Sequence, residues 1–161
     1  YSAGLEIPMP LAFDINGEER ATQRDPMTPL IDVLREEFFL TGAKPVCREG
    51  FCGACTVLID GRPMVSCLVP VGTVEGCQVR TVEGLATAGE PSRVQKIMEE
   101  HDVVQCGMCF PGMLITLTAF FRDNPNPGRD EIKAALVGNI CRCTGYERLV
   151  DAAVALARGG E

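Results

Sequence analysis

The sequence predicts an α+β protein with two domains, a small mixed sheet followed by a bundle of short helices. Two observations lead to this prediction. Strand-like runs separated by tight turns fill the first half of the 161-residue chain, whereas apolar residues recur with helical spacing in the second half. We place the domains at residues 9–83 and 91–161, because the segment at residues 84–91, with two glycines and a proline, is typical of a linker.

The first domain contains two predicted β-hairpins. Each is built on a dipeptide, Asn-Gly or Asp-Gly, that favours the left-handed backbone of a tight two-residue turn. Residues of strand-like composition flank both turns. In chain order the predicted elements are a strand at Leu11–Ile15, the Asn16-Gly17 turn, a return strand through Arg20 and Thr22, a strand at Thr56–Ile59, the Asp60-Gly61 turn and a strand at Met64 and Val65.

One helix is predicted between the hairpins. Thr28 is a favoured N-cap, and Pro29 fits the first helical position because the N–H of that position has no partner inside a helix. We expect this helix to run to about Phe38. A last strand at residues 78–82 completes a small sheet covered by one helix, which suits a β-grasp domain.

The second domain is predicted to consist of four short helices around one core. Ser92 followed by Gln95 is a capping-box signature and indicates where the first helix begins. Apolar residues three or four positions apart indicate the buried face of each helix. The core-facing residues are Val94, Ile97 and Met98; Leu114, Leu117, Thr118 and Phe121, in a helix starting at Pro111; Ile132, Ala135 and Leu136; and Leu149, Ala153, Leu156 and Ala157.

Composition and charge limit the classes of function. With 15 basic and 22 acidic residues the net charge is −7, which argues against nucleic acid or an anionic membrane as a partner. Cysteine, glycine and proline interrupt the uncharged run at residues 103–121, so it does not fit a transmembrane helix. No secretory signal is visible, although the opening residue Tyr1 leaves room for an upstream segment. Because thiols stay reduced there, the cytoplasm is the predicted compartment.

Eight of the nine cysteines form two groups of four. The first group follows the C-x4-C-x2-C spacing of a plant-type 2Fe-2S ferredoxin. Gly50 and Gly53 lie inside this loop, where glycine allows close approach and lets backbone N–H groups point at cluster sulfurs. The second hairpin is expected to return the fourth cysteine to the loop. The predicted ligands are Cys47, Cys52, Cys55 and Cys67.

The second group consists of two cysteine pairs, each beside the start of a predicted helix. Helix N-termini carry partial positive charge and free N–H groups, which favour thiolates and an anionic cluster. Four soft thiolates suit either an iron-sulfur cluster or structural zinc, and the spacing of this group leaves both open. The residues are Cys106, Cys109, Cys141 and Cys143.

Three other uses of cysteine fit poorly. A disulfide framework suits a small secreted chain with an even number of cysteines, whereas this chain has nine and is long enough to bury a core. A c-type haem requires histidine directly after a Cys-x2-Cys pair, where Thr56 and Phe110 stand. A Rieske centre requires two histidines, and His101 is the only one. The ninth cysteine, Cys77, is expected to be a small buried apolar residue.

Three stretches around these cysteines resemble the small iron-sulfur subunit of the molybdenum hydroxylases, the family of xanthine dehydrogenase and aldehyde oxidoreductase. The resemblance extends from about Leu11 to the last helix, and the stretches stand in the family's order and spacing. One departure is Val46, where the family usually has glycine, and it affects the local loop geometry rather than the cluster. The stretches are TGAK at residues 41–44 with CREGFCGACTV at 47–57, QCGMCFPGM at 105–113 and GNICRCTGY at 138–146.

The resemblance implies a ferredoxin-like β-grasp domain with one 2Fe-2S cluster, followed by a four-helix bundle-like domain with a second one. It also implies an electron-transfer subunit that assembles with a large molybdopterin-binding subunit, where substrate is oxidised, and usually with a medium FAD-binding subunit. By family analogy the second cluster is nearer molybdenum and the first nearer flavin. The family match places Gln105 and Cys143 in contact with the molybdopterin.

No catalytic triad or phosphate-binding glycine loop is visible, so this chain alone is expected to turn over no substrate. Two alternatives from other classes remain. A free-standing ferredoxin carrier would need only the first domain and would bind its partners transiently. A zinc-stabilised interaction module would use the second cysteine group and would be colourless.

Overall fold

The computed structural model describes residues 10–159 and shows a mixed α+β protein, as predicted. The expected first-domain start at Met9 lies outside the described residues. The strands are β1 (Leu11–Ile15), β2 (Glu18–Thr22), β3 (Thr56–Ile59), β4 (Arg62–Val65) and β5 (Gln78–Arg80). The helices are α1 (Leu30–Asp32, continued by a π-helical turn at Val33–Glu37), α2 (Arg93–Glu100), α3 (Phe110–Asp123), α4 (Arg129–Ala135) and α5 (Glu147–Ala157).

The strands form one sheet in the order β2-β1-β5-β3-β4. β1 is parallel to β5, and the other neighbouring strands are antiparallel. Asn16 and Asp60 have φ of 56° and 47°, and the glycine after each is also left-handed, which confirms both predicted turns. The sheet and α1 share a first core, whose buried residues include Phe13, Ile15, Leu30, Ile31, Leu34 and Val57.

Helix α1, with its π-helical continuation, ends near Phe38 as predicted but differs from the prediction at its start. Thr28 does not cap it: the Thr28 carbonyl accepts a hydrogen bond from the Val71 N–H, and Pro29 occupies the N-cap position. In the second half of the helix the Phe38 N–H bonds to the Val33 carbonyl, which is the spacing of a π-helix. The predicted cap is wrong because long-range pairing with the segment after β4 fixes this end, and local propensity does not reveal such pairing.

Strand β5 ends earlier than the prediction of residues 78–82. Thr81 is fully buried, and its N–H bonds to the side chain of Asn16 instead of to a neighbouring strand. A 3-10 turn at Val82–Leu85 follows, and the Leu85 side chain packs in the helical core. The segment predicted as a linker is therefore anchored at its start.

Helices α2 to α5 enclose a second core. The capping box of α2 is confirmed, because the Gln95 N–H donates to Ser92 Oγ at 3.3 Å and the Ser92 N–H donates to Gln95 Oε1 at 2.8 Å. The large, fully buried side chains of this core include Met98, Met113, Ile115, Leu117, Ile132 and Leu149. Within residues 10–159, no helix is long and apolar enough to cross a membrane.

The two halves meet along α3 and the β3–β4 hairpin. Leu58 on β3 packs into the helical core. The guanidinium of Arg122 on α3 donates to the Gly61 carbonyl at 2.8 Å. At the start of α3, a Cβ on Gly112 would lie 2.0 Å from the carbonyl oxygen of Gly53. The cysteine loop that contains Gly53 therefore lies directly against the helical half.

Candidate metal centres

The first group of cysteines lies in the loop before β3 and at the end of β4. Cys52, Cys55 and Cys67 are buried, and Cys47 is half-buried. The β3–β4 hairpin returns Cys67 to the loop, as predicted. Ser66 fixes this return, because its N–H and its hydroxyl both donate to the Cys55 carbonyl, at 3.2 and 2.7 Å. The four thiols interact as two pairs, Cys47 with Cys52 and Cys55 with Cys67.

Backbone N–H groups of this loop point at the Cys47 sulfur. Those of Glu49 and Cys52 each lie 3.4 Å from Cys47 Sγ. The turn that directs them uses left-handed backbone at Arg48 and Gly50, with φ of 58° and 71°. These donors lower the pKa of Cys47 to about 6, so its thiolate is favoured near neutral pH.

On the inner side of the loop the thiol pKa is shifted in the opposite direction. Burial raises the pKa of Cys55 to about 11. A thiolate at this position needs a positive partner, and iron supplies one when a cluster is bound. At the rim, the Arg48 guanidinium pairs with Asp32 at 2.9 Å and ties the loop to α1. Sequence reasoning did not identify this ion pair, because the residue spacing carries no signal for it.

The second group is assembled from two segments, each of which precedes a helix. Cys109 is the residue immediately before α3, and Cys141 and Cys143 precede α5, which confirms the predicted placement at helix starts. Cys106 and Cys143 form an outer, exposed pair with their sulfur atoms 3.4 Å apart. Cys109 and Cys141 form an inner, half-buried pair.

The two inner thiols differ in pKa. Burial, together with the neighbouring Cys141 thiol, raises the pKa of Cys109 to about 12. Burial also acts on Cys141, but the Thr144 hydroxyl and N–H lie 3.1 and 3.4 Å from its sulfur and bring its pKa below the usual value. Thr144 thus stabilises the Cys141 thiolate by hydrogen bonds, as the loop N–H groups stabilise the Cys47 thiolate.

Tyr146 is a residue of this site that sequence reasoning missed as a functional group. Its hydroxyl accepts a hydrogen bond from the Cys141 N–H at 2.7 Å and donates to the Asn139 carbonyl at 3.1 Å. Its backbone is left-handed, with φ of 67°. The sequence signal that could have identified it is its position between the last cysteine and a predicted helix.

The remaining residues singled out from the sequence lie outside the thiol pairs. Gln105 is exposed beside Cys106, at a small cavity lined by the second cysteine group. Cys77 is half-buried at the edge of the first core, where burial raises its pKa. His101 stands at the exposed C-terminal end of α2.

All nine cysteines are free thiols, and those of the two groups pair instead of converging on one point. Among residues 10–159, no three His, Cys, Asp or Glu side chains are close enough to hold a single metal ion. Two adjacent thiol pairs are what a two-iron cluster needs, because its four protein ligands are shared between two irons. The donor set and the surrounding N–H groups therefore fit an anionic 2Fe-2S cluster at each site.

Comparison with protein families agrees with this geometry. A family described as 2Fe-2S iron-sulfur cluster binding domain matches residues 33–98, which include the first cysteine group. A family described as 2Fe-2S binding domain matches residues 81–154, which include the second.

Individual relatives match over most of their length. The nicotinate dehydrogenase small FeS subunit of Eubacterium barkeri is 44% identical over 137 residues, covering 85% of this chain and 87% of that one. The xanthine dehydrogenase iron-sulfur-binding subunit of Escherichia coli O157:H7 is 43% identical over 140 residues, with coverage of 85% and 87%. The crystal structure of quinoline 2-oxidoreductase from Pseudomonas putida 86 superposes with a TM-score of 0.87 at 43% identity, covering 95% of this chain and 98% of that one.

Proposed function

Because this chain belongs to the small iron-sulfur subunits of the molybdenum hydroxylase family, we propose that it is the electron-transfer subunit of a larger oxidoreductase. In this role it passes electrons from a molybdopterin centre through two 2Fe-2S clusters to FAD or another acceptor. The observation that carries the proposal is the presence of two separate four-thiol sites in one chain, each arranged as two pairs.

The pairing of the thiols suggests which of them share an iron. In the first cluster we assign Cys47 and Cys52 to one iron, and Cys55 and Cys67 to the other. In the second cluster we assign the outer pair, Cys106 and Cys143, to one iron, and the inner pair, Cys109 and Cys141, to the other. The interaction between the thiols of each pair supports this assignment, and for Cys106 and Cys143 the two sulfur atoms lie 3.4 Å apart.

Each cluster, when bound, accepts and releases one electron, and the protein sets how readily this happens. Hydrogen bonds to a ligand sulfur stabilise negative charge and so favour the reduced cluster. The N–H groups around Cys47 and the Thr144 hydroxyl beside Cys141 act in this way. Burial of Cys55 acts in the opposite direction and also excludes water from that ligand.

We propose that the second cluster faces the molybdenum cofactor of the large subunit. Cys106 and Cys143 are exposed, so an edge of this site is open to a partner. Gln105 lies beside them, and its side-chain amide offers both donors and an acceptor to a pterin edge. Gln105 and Cys143 are therefore the proposed contacts with molybdopterin, and the first cluster is the one nearer the FAD-binding subunit.

We further propose two domains, a ferredoxin-like β-grasp unit at residues 9–83 and a four-helix bundle-like unit at residues 91–161. The separate sheet and helical cores support this division, and one cysteine group borders each of them. Substrate oxidation then belongs to the large subunit. The cytoplasm suits the assembly, because the cysteine thiols of this chain stay reduced there until clusters are inserted.

The alternatives from other classes are less well supported. Relatives are named as subunits of dehydrogenases or hydroxylases, which supports larger partners over a free ferredoxin carrier. A zinc module is less well supported for the second group, because the family that matches residues 81–154 is described as a 2Fe-2S binding domain.

Metal analysis and an absorption spectrum test the proposal directly. The chain purified with its partner subunits should contain about four irons per copy and absorb visible light, as two 2Fe-2S clusters do. The chain alone should turn over no organic substrate. A colourless protein with zinc in place of iron would contradict the proposal.

A further inference from the structure

We propose that Tyr146 is a positioning residue for electron transfer between the two clusters. Its hydroxyl holds the peptide group before Ile140 so that the Ile140 N–H bonds to the Cys52 carbonyl, and this hydrogen bond joins the two cluster sites. The inference rests on the proposed function, because it requires that both cysteine groups hold clusters.

The bridging hydrogen bond connects a ligand of one site to the neighbour of a ligand of the other. The Ile140 N–H donates to the Cys52 carbonyl oxygen at 2.9 Å. Cys52 belongs to the first group, and Ile140 is peptide-bonded to Cys141 of the second. Every other step between the two sulfurs is a covalent bond. Electrons tunnel more readily through covalent and hydrogen bonds than across van der Waals gaps, so this connection is a favourable route.

The Tyr146 hydroxyl bonds to the carbonyl end of the peptide unit that carries the Ile140 N–H. The Asn139 carbonyl, which accepts from this hydroxyl at 3.1 Å, and the Ile140 N–H belong to one peptide unit. Because that unit is planar and trans, fixing its carbonyl oxygen directs its N–H the opposite way, toward Cys52. The same hydroxyl accepts from the Cys141 N–H at 2.7 Å and so fixes the next peptide unit as well.

The backbone of Tyr146 is held in a conformation that is rare for its residue type. Its φ of 67° lies in the left-handed region, which bulky residues seldom adopt. Residues in such conformations persist where the surrounding structure fixes them, and they cluster at functional sites. Here the conformation stands at the N-terminus of α5 and places the ring so that its hydroxyl reaches both peptide units.

A second contact holds the two segments together. Asn139 is only 3% exposed, and its side-chain amide donates to the Gly53 carbonyl at 3.3 Å. The segments approach so closely that a Cβ on Gly53 would lie 2.2 Å from the Gly138 carbonyl oxygen. The bridge is therefore part of a fixed contact in which the backbone of one cysteine loop lies along the backbone of the other.

The step that uses this bridge is the transfer of one electron. One electron leaves the reduced cluster at one site and reaches the oxidised cluster at the other. No bond is formed or broken and no proton is transferred. The contribution of the protein is a short and continuous path of bonded atoms.

The Tyr146→Phe variant tests the proposal, because phenylalanine keeps the ring and removes only the hydroxyl. The complete chain, purified with its partner subunits and carrying both clusters, is reduced by a radiolytic pulse and followed by rapid-freeze EPR. A redox titration of the same sample gives both potentials, so the rate can be corrected for driving force. We expect full iron content and both EPR signals. The corrected rate between the clusters should fall by about threefold or more, because without this hydrogen bond the peptide unit spends less time in the bridging geometry.

One variant serves as a matched control. Thr73→Val also removes a hydroxyl that donates to a backbone carbonyl, that of Pro70 at 2.7 Å, and Thr73 belongs to neither cysteine group nor to the contact between them. It should leave the corrected rate unchanged.

A corrected rate in Tyr146→Phe equal to that of the parent protein would overturn the proposal. Loss of the second cluster in this variant would also overturn it, because the hydroxyl would then be needed to build the site and not the bridge. If the parent protein lacks either cluster, the proposed function itself fails, and this is known before the variants are compared.

Discussion

The two cysteine sites are built in opposite ways. The first is one loop and one hairpin, its backbone supplies the N–H donors, and three of its four cysteines are buried. The second is made by two segments that only the packing of the helical core brings together, and its outer cysteines are exposed. The first site therefore depends on local turn conformation, whereas the second depends on the helical core.

The sites also differ in whether a side chain helps to stabilise thiolate charge. At the first site, two backbone N–H groups approach the Cys47 sulfur, and they persist as long as the loop keeps its shape. At the second site, the Thr144 N–H approaches the Cys141 sulfur together with the Thr144 hydroxyl, and the hydroxyl can be removed by a single substitution. Because hydrogen bonds and solvent exposure tune cluster potentials, the two clusters should have different midpoint potentials.

Replacing one thiol should remove the cluster of that site and spare the other, which is the largest expected effect. Cys55→Ser should abolish the first EPR signal and Cys109→Ser the second, each leaving about two irons per chain. Cys77→Ser is the control and should keep both signals, since Cys77 belongs to neither group. Loss of both signals after one substitution would contradict the independence of the two sites.

Weakening the helical core should release the second cluster before the first. Ile115 is fully buried in that core, and Ile115→Ala should lower the free energy of unfolding by about 2–5 kcal/mol. Urea titration followed by EPR should show the second signal lost at lower urea than in the parent. Val137→Ala, at a side chain 81% exposed, should change stability by less than about 0.5 kcal/mol. Equal release of both clusters from Ile115→Ala would show that the first site needs the helical core too.

Forcing the two sites apart should disturb both. A Cβ on Gly112 would lie 2.0 Å from the Gly53 carbonyl oxygen, so Gly112→Ala must shift the first loop or α3, at a cost of about 1–3 kcal/mol. We expect both EPR signals to change shape. Gly138→Ala is the matched control, because no atom lies within 4 Å of its Cβ. A change confined to one signal would show that the contact does not couple the sites.

The smallest effect is expected at the exposed edge of the second site. In the assembled enzyme, Gln105→Ala should keep both EPR signals but weaken retention of the molybdenum cofactor or slow cluster reduction by substrate, by about fivefold for one lost hydrogen bond. Molybdenum content and pre-steady-state kinetics measure this. Gln78→Ala, at an exposed glutamine on β5, should have no effect. If Gln105→Ala matches the parent enzyme, the second site loses its best local support for facing molybdenum.

Local signals predicted most of the first site. The Asn16-Gly17 and Asp60-Gly61 turns were predicted because their determinants lie within two residues, and the cysteine loop because its spacing is contiguous. The start of α1 was predicted wrongly, because Thr28 bonds to the distant Val71 instead of capping the helix. The Arg48–Asp32 ion pair was also missed, since it joins two segments that the fold brings together.

For the second site the sequence predicted the parts but not their assembly. The Ser92 capping box, the helix faces and the cysteine pairs beside helix starts are local patterns, and the structure bears them out. The pairing of Cys106 with Cys143 and the bond from Ile140 to Cys52 depend on how α3, α5 and the first loop pack. No local propensity encodes such contacts, and for the same reason Tyr146 was not recognised.

An EPR-monitored redox titration of the assembled protein tests the central claim, that one chain holds two different clusters, most directly. Two signals should develop, each with its own midpoint potential, and together they should integrate to about two spins per chain at full reduction. A single signal that titrates in one step and integrates to about one spin per chain would contradict the account.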